Sequence, residues 1–193
     1  MLNFLRSKLS DTVYVQIWEN RLKATNVESQ ECFDEKPLLA IATDDTGQES
    51  VSAIGNAAVQ CNQPNMRIVN PFSHPRVLFS DFNVGEKMLQ HVFSLLHKHS
   101  SLLKPAPIVV IHPMEKLEGG LTGIEDRAFR ELAYGAGARE VHIHQGEPLS
   151  IQNFDISQVS EKETMPIKTN SGIADVIFYG VIIATAVYYA IKN

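Results

Sequence analysis

The chain has 193 residues, of which 44% are hydrophobic and 20% are charged, and its formal net charge is -5 at pH 7. This composition is typical of a soluble globular protein and argues against global disorder. The length allows one good core, or two small lobes that share one. The negative charge provides no basic surface for a nucleic acid partner.

The two cysteines, Cys32 and Cys61, lie far apart and form no CxxC motif. This spacing argues against a zinc site and against a disulfide framework. We expect both to be reduced packing thiols in a cytosolic domain. The first ten residues have neither a long apolar core nor a small-residue cleavage site, so no secretory signal is predicted.

Residues 1–10, MLNFLRSKLS, predict a short amphipathic helix. Leu2, Leu5 and Leu9 share one face of it, Phe4 lies at the border, and the basic residues lie around the other side. Such a helix can lie in a membrane interface, where anionic lipid attracts the basic residues. The alternative is an ordinary helix packed on the domain.

Two strands joined by a tight turn are predicted at 13–17 (VYVQI) and 22–27 (LKATNV), because both stretches are rich in β-branched residues. Between about 32 and 72 the short strand candidates LLAIAT, VSAIG and MRIVN alternate with polar turns. This pattern favours a small strand-rich subdomain inserted after the first hairpin.

A helix is predicted over 84–99, followed by the loop HKHSSLLKPAP. His97 and His99 are two residues apart and point in different directions on a helix, so we interpret them as solvated rather than as a metal pair. The apolar face of the helix is predicted to contain Met88, Leu89, Val92, Phe93, Leu95 and Leu96.

Residues 107–112, PIVVIH, predict a strand buried on both faces of a sheet. Thr122 is a candidate helix N-cap, and Glu125 would complete a capping box. Gly135 and Gly137 are expected to end that helix. The residues predicted to pack inward from it are Ile124, Ala128, Phe129, Leu132 and Ala133.

On the next strand, EVHIH, His142 and His144 point to the same face, and Glu140 is near in sequence. A metal site is therefore geometrically possible. Histidines on an edge or on a partly open face explain the pattern as well, and we predict no metal site.

The segments IEDRAFRELAYGAGAREV (124–141) and NVGEKMLQH (83–91) resemble MreB, the bacterial homologue of actin. The resemblance runs from residue 1 to about residue 150. It implies an α/β fold, with a single actin-like (ribonuclease H-like) lobe at 11–150 and the inserted subdomain at about 32–72. A complete actin-type ATPase would need a much longer chain.

In this family the first hairpin turn reads Asp-x-Gly-Thr and binds phosphate, and the matching positions here are Gln16, Trp18 and Glu19. The bulk of a tryptophan and the negative charge of a carboxylate at these places disfavour phosphate binding. Glu147 corresponds to the glutamate that orients the attacking water in the family. We therefore expect no catalytic residues, with Glu147 a degenerate candidate, and no cofactor, with ATP as the alternative.

The resemblance also implies membrane contact. Many MreB proteins bind the inner membrane through an N-terminal amphipathic helix, which favours that role for Leu2, Phe4, Leu5 and Leu9. An apolar loop of the family dips into the membrane at the place of Leu102 and Leu103, whose flanking lysines would suit anionic lipid. The alternative is that these two leucines pack back onto the preceding helix.

Residues 151–172 predict a polar linker, and 173–191 (IADVIFYGVIIATAVYYAI) predict a transmembrane helix because 19 mostly apolar residues span about 28 Å. The alternative is a remnant of the family's second phosphate hairpin. In that alignment only Gly172 retains the motif, and Ile182 and Ile183 would stand at the turn, which is unfavourable turn chemistry.

The combined expectation is a non-catalytic MreB-like protein at the cytoplasmic face of the inner membrane. It would bind or modulate an MreB-type filament or other cell-shape and envelope proteins, and it could form homo-oligomers. One alternative is a divergent ATPase that completes its site with a partner subunit. The other is a membrane scaffold unrelated to filaments.

Overall fold

A computed structural model of the chain describes residues 10–61, 63–96, 106–156 and 159. Two α-helices, a short 3-10 helix (Gly55–Gln60) and eight strands form the described part. The helices are α1 (Phe82–Leu96) and α2 (Gly123–Gly135). The strands are β1 (Thr12–Ile17), β2 (Leu22–Asn26), β3 (Cys32–Glu35), β4 (Leu39–Thr43), β5 (Glu49–Ile54), β6 (Met66–Val69), β7 (Ile108–Pro113) and β8 (Glu140–Ile143).

The main sheet has five strands in the order β3-β2-β1-β7-β8. β1, β2 and β3 pair antiparallel, whereas β7 is parallel to β1 and β8 is parallel to β7. Every residue of β1 and of β7 is buried, as expected for central strands covered on both faces. The predicted hairpin and the predicted strand at 107–112 are confirmed.

A second sheet of three antiparallel strands has the order β5-β4-β6. Gly55 follows β5 with a φ of +66°, and a Cβ there would lie 1.9 Å from Glu35 Oε2, so the site requires glycine. The subdomain was predicted to begin at about residue 32, but β3 pairs with β2 in the main sheet. The second sheet therefore begins only at Leu39.

Both helices cover one face of the main sheet. The capping box predicted for α2 is present, since Thr122 and Glu125 satisfy each other's backbone donors. Phe129, Leu132 and Ala133 of α2 are buried as predicted. The core also includes Val13, Val15, Ile17, Val109, Ile111 and, from α1, Val84, Met88, Leu89, Val92, Phe93 and Leu96.

Two of the predicted core residues lie at the surface. Ile124 is 81% exposed, because five residues turn a helix by about 140° and it points away from Phe129. Leu95 is 36% exposed and borders a cavity of about 250 Å³ between α1 and β5. In both cases the predicted apolar face was too wide.

The other face of the main sheet carries a small second core. Tyr14, Val110 and Val159 are buried there, with partly buried residues packed against them, among them Leu149, Ile151, Phe154 and Ile156. The polar linker was predicted to start at residue 151. The structure shows instead that residues 151–156 pack on the sheet.

Several predicted segments lie outside the described residues. These are residues 1–9 with Leu2, Phe4, Leu5 and Leu9, residues 97–105 with His97, His99, Leu102 and Leu103, and residues 160–193, which include 173–191. Among the described residues, no helix is both long enough and apolar enough to cross a membrane.

Candidate functional site

The turn between β1 and β2 consists of Trp18, Glu19, Asn20 and Arg21, and the Trp18 N–H donates to the carbonyl of Arg21 over 2.9 Å. The guanidinium of Arg21 lies 5.1 Å from the centre of the Trp18 ring. It also donates two hydrogen bonds, of 2.7 and 2.6 Å, to Asp34 on β3. These bonds lower the pKa of the Asp34 carboxyl. The turn is thus braced against the neighbouring strand.

Glu19 uses three polar groups to bind two distant loops. Its backbone N–H donates to Glu115 Oε2 over 2.9 Å. Its carbonyl accepts from Asn70 Nδ2 over 2.7 Å, and its carboxylate pairs with Lys116 Nζ at 2.7 Å. We call Glu19 with these three partners the Glu19 junction.

The loops that meet at the Glu19 junction are held by further bonds. Lys116 also donates to the carbonyl of His74, and its φ of +58° is unusual for a residue with a side chain. The carbonyl of Asn70 accepts from the Ser73 and Ser80 hydroxyls. Segments 70–80 and 114–120 are consequently joined to each other and to the turn.

A cavity of about 490 Å³ lies between these two segments and the start of α2. Val77, Phe79 and the exposed Ile124 provide apolar walls. Arg76 and Glu118 line it as well, and within the described residues neither side chain has a polar partner. The cavity therefore combines an apolar surface with the charged side chains of Arg76 and Glu118.

The other residues expected at the phosphate turn and around it are dispersed. Gln16 is buried and its Nε2 donates to the sulfur of Met114 over 3.8 Å. Glu147 is exposed, and its backbone carbonyl accepts from His144 Nε2 over 2.8 Å. Among the described residues, no hydrogen bond links Glu147 to the turn. The structure thus brings Glu19 together with Glu115 and Lys116, and does not bring Glu147 to them.

A buried histidine at the end of β7 was not singled out by the sequence. His112 is fully buried; its Nδ1 lies 2.6 Å from the Tyr14 hydroxyl and its Nε2 lies 3.1 Å from the Gly146 carbonyl. The Tyr14 hydroxyl accepts from the Leu149 N–H, which leaves its own proton for His112. The only signal for this network was a histidine in an otherwise apolar strand.

This environment changes two pKa values. Burial, together with the nearby His144 ring at a centroid distance of 4.6 Å, lowers the pKa of His112 to about 4. Burial raises the pKa of Tyr14. Both groups are therefore neutral at neutral pH, and the network holds residues 146–149 over the sheet.

His142 on β8 and His144 just after β8 both have protein partners. His142 Nε2 lies 2.9 Å from Glu140 Oε1, and His144 bonds the Glu147 carbonyl. Across the described ranges, no group of three or more histidine, cysteine, aspartate or glutamate side chains is arranged to hold a metal ion.

Comparison with known proteins shows which family the chain resembles. The family model described as MreB/Mbl protein matches residues 28–183. The cell shape-determining protein MreB of Escherichia coli K12 is 37% identical over 123 residues, which are 61% of this chain and 33% of that protein. The chain thus spans about a third of the length of this curated relative.

Two solved structures share the fold. MreB5 of Spiroplasma citri bound to ADP aligns with a TM-score of 0.54 and 21% identity, covering 70% of this chain and 38% of that one. The MamK double helical filament aligns with a TM-score of 0.50 and 14% identity, covering 71% and 41%. Together with the family match, these similarities confirm the predicted resemblance: the chain belongs to the MreB/Mbl family.

Proposed function

We propose that this chain is a non-catalytic member of its family that binds an MreB-type filament. The proposal rests mainly on the 2.9 Å hydrogen bond from the Glu19 N–H to the Glu115 carboxylate. A backbone amide of a phosphate-binding turn must be free to donate to phosphate. Here that donor is engaged by an acidic side chain of the same chain.

The charge of the turn supports the same proposal. Glu19 and Glu115 contribute two carboxylates, against one ammonium from Lys116. A net negative charge repels a polyphosphate, and Trp18 adds bulk where the family has a small residue. The residues of the turn therefore do not fit a bound nucleotide phosphate.

Ile124 supports the choice of a protein partner. It is 81% exposed in the first turn of α2, beside the cavity lined by Val77 and Phe79. A large exposed apolar side chain next to an apolar cavity is typical of a protein contact surface. Because solved neighbours of the fold include a filament, we propose a filament subunit of the MreB type as the partner.

Co-sedimentation with polymerised Escherichia coli MreB tests this function. We expect the full chain to pellet with the filament, and Ile124→Lys to weaken pelleting strongly because a charge replaces the apolar contact. Val59→Lys is the matched control, since Val59 is an exposed apolar residue on the second sheet's 3-10 helix. A wild-type chain that stays in the supernatant would refute the proposal.

We also propose that the protein acts at the cytoplasmic face of the inner membrane, through the predicted helix at 1–10 and through Leu102 and Leu103. The family match reaches residue 183 and so includes part of 173–191. This extent supports the hairpin interpretation of that segment over a membrane helix. Washing membranes with alkaline carbonate separates the two, since a peripheral protein is released and a spanning helix is retained.

A further inference from the structure

Glu19 binds to two loops that are far apart in the chain. Asn70 is 51 residues from it and Glu115 is 96 residues from it. A single residue thus makes a donor bond, an acceptor bond and an ion pair, each to a different residue.

We propose that Glu19 is a positioning residue that fixes segments 70–80 and 114–120 against the β1–β2 turn and so preforms the cavity beside Ile124. The proposal rests on the proposed function, because the cavity is part of the surface suggested for the filament. It adds the residue that gives this surface its shape.

Lys116 connects the Glu19 junction to the cavity. Its ammonium bonds the Glu19 carboxylate and the His74 carbonyl, and its side chain lines the cavity wall. The side chain is only 17% exposed, so its charge is partly removed from water and depends on its partner. The left-handed backbone of Lys116 likewise persists only if its surroundings hold it.

The cavity walls have little regular structure of their own. Residues 73–80 contain no helix or strand, and neither do residues 114–122. Loops of this kind are ordered by specific bonds rather than by a hydrogen-bonded ladder. A surface that is ordered before binding avoids the entropic cost of ordering at binding. Losing the Glu19 carboxylate should therefore loosen both walls together.

Hydrogen exchange of the full chain tests the positioning role. In Glu19→Ala we expect severalfold faster amide exchange in both 70–80 and 114–120, with unchanged exchange in β7 and α1. Glu19→Gln should lie between, because an amide oxygen still accepts from Lys116. Glu118→Gln is the matched control, since this carboxylate lines the same cavity and has no partner in the described part of the chain.

Co-sedimentation of the same variants completes the test. Glu19→Ala should bind the filament severalfold more weakly than the wild type, whereas Val59→Lys, which lies outside the cavity, should bind like the wild type. Unchanged amide exchange in Glu19→Ala would overturn the positioning role. Faster exchange with unchanged filament binding would show that binding does not depend on a preformed cavity. If the wild type does not bind the filament, the proposed function fails, while the exchange measurement still decides the role of Glu19.

Discussion

The turn after α2 and the turn after β1 are stabilised in different ways. After α2, the N–H groups of Gly137 and Ala138 donate to the carbonyls of Tyr134 and Ala133, and Gly137 has a φ of +105°. This is a Schellman end, which needs glycine. The turn after β1 instead carries Trp18 and Glu19 and is bound by side chains from other loops.

The two turns therefore differ in how much the fold depends on them. The α2 turn connects a helix to the main sheet, so any change there acts on the fold. The polar groups of the β1 turn are instead satisfied by side chains from other loops of the same chain. Substitutions in the scaffold should therefore cost stability, whereas substitutions at the Glu19 junction should mainly alter local order.

Phe129→Ala should have the largest effect, because Phe129 is 1% exposed and its ring packs edge-on against Phe79 at 5.2 Å. We expect a loss of about 3–5 kcal/mol in the free energy of unfolding. Urea denaturation measures it. Ile124→Ala on the same helix should change stability by less than about 0.5 kcal/mol, and equal losses would contradict the assigned packing.

Acid should destabilise the wild type through His112. Its pKa is about 4 in the folded chain against an ordinary value of 6.5, so the unfolded chain binds the proton first. The contribution is complete above pH 6.5 and is lost as the pH falls towards 4, by up to about 3 kcal/mol.

His112→Gln should remove this part of the pH dependence. Urea denaturation of both proteins across the same pH range isolates the effect, because the remaining titratable groups are shared. Parallel curves for wild type and variant would show that His112 does not contribute.

Gly137→Ala sharpens the comparison at the α2 turn. A side chain at φ +105° is strained even though the space around it is open, and we expect a loss of about 1–2 kcal/mol. Gly123→Ala is the control, because its backbone is not left-handed and no atom crowds it. A similar melting temperature for both variants would argue against a requirement for glycine.

Glu115→Gln should have the smallest effect on stability, about 1 kcal/mol or less, because it weakens a single hydrogen bond. Calorimetric titration with ATP should show no binding to wild type or variant, since Glu19 and Trp18 remain. Micromolar affinity in the wild type would reverse the non-catalytic interpretation.

Local patterns accounted for much of the fold. The length and β-branched content of 13–17 and 22–27 predicted β1 and β2, and the Thr122–Glu125 capping box located the start of α2. The errors occurred where neighbours in space decide. The inserted subdomain was predicted to begin at about Cys32, and only the pairing of Cys32 with Thr25 assigns that residue to the main sheet.

The candidate site was predictable in part. The resemblance to the family placed Gln16, Trp18 and Glu19 at the phosphate turn, and this placement stays a prediction. The contacts of Glu19 were not predictable, because no local pattern connects Glu19 with Asn70 or Glu115. His112 was hidden for the same reason, since its partners lie on β1 and in the loop after β8.

The sequence by itself determined most of the strands, both ends of α2 and the family, because periodicity, capping and turn residues act over a few neighbouring positions. Only the tertiary structure decided that the β1 turn is closed by Glu115, Asn70 and Lys116 and that Ile124 faces outward. Hydrogen bonds and burial depend on distances in space, and folding sets those distances between residues that the chain keeps far apart.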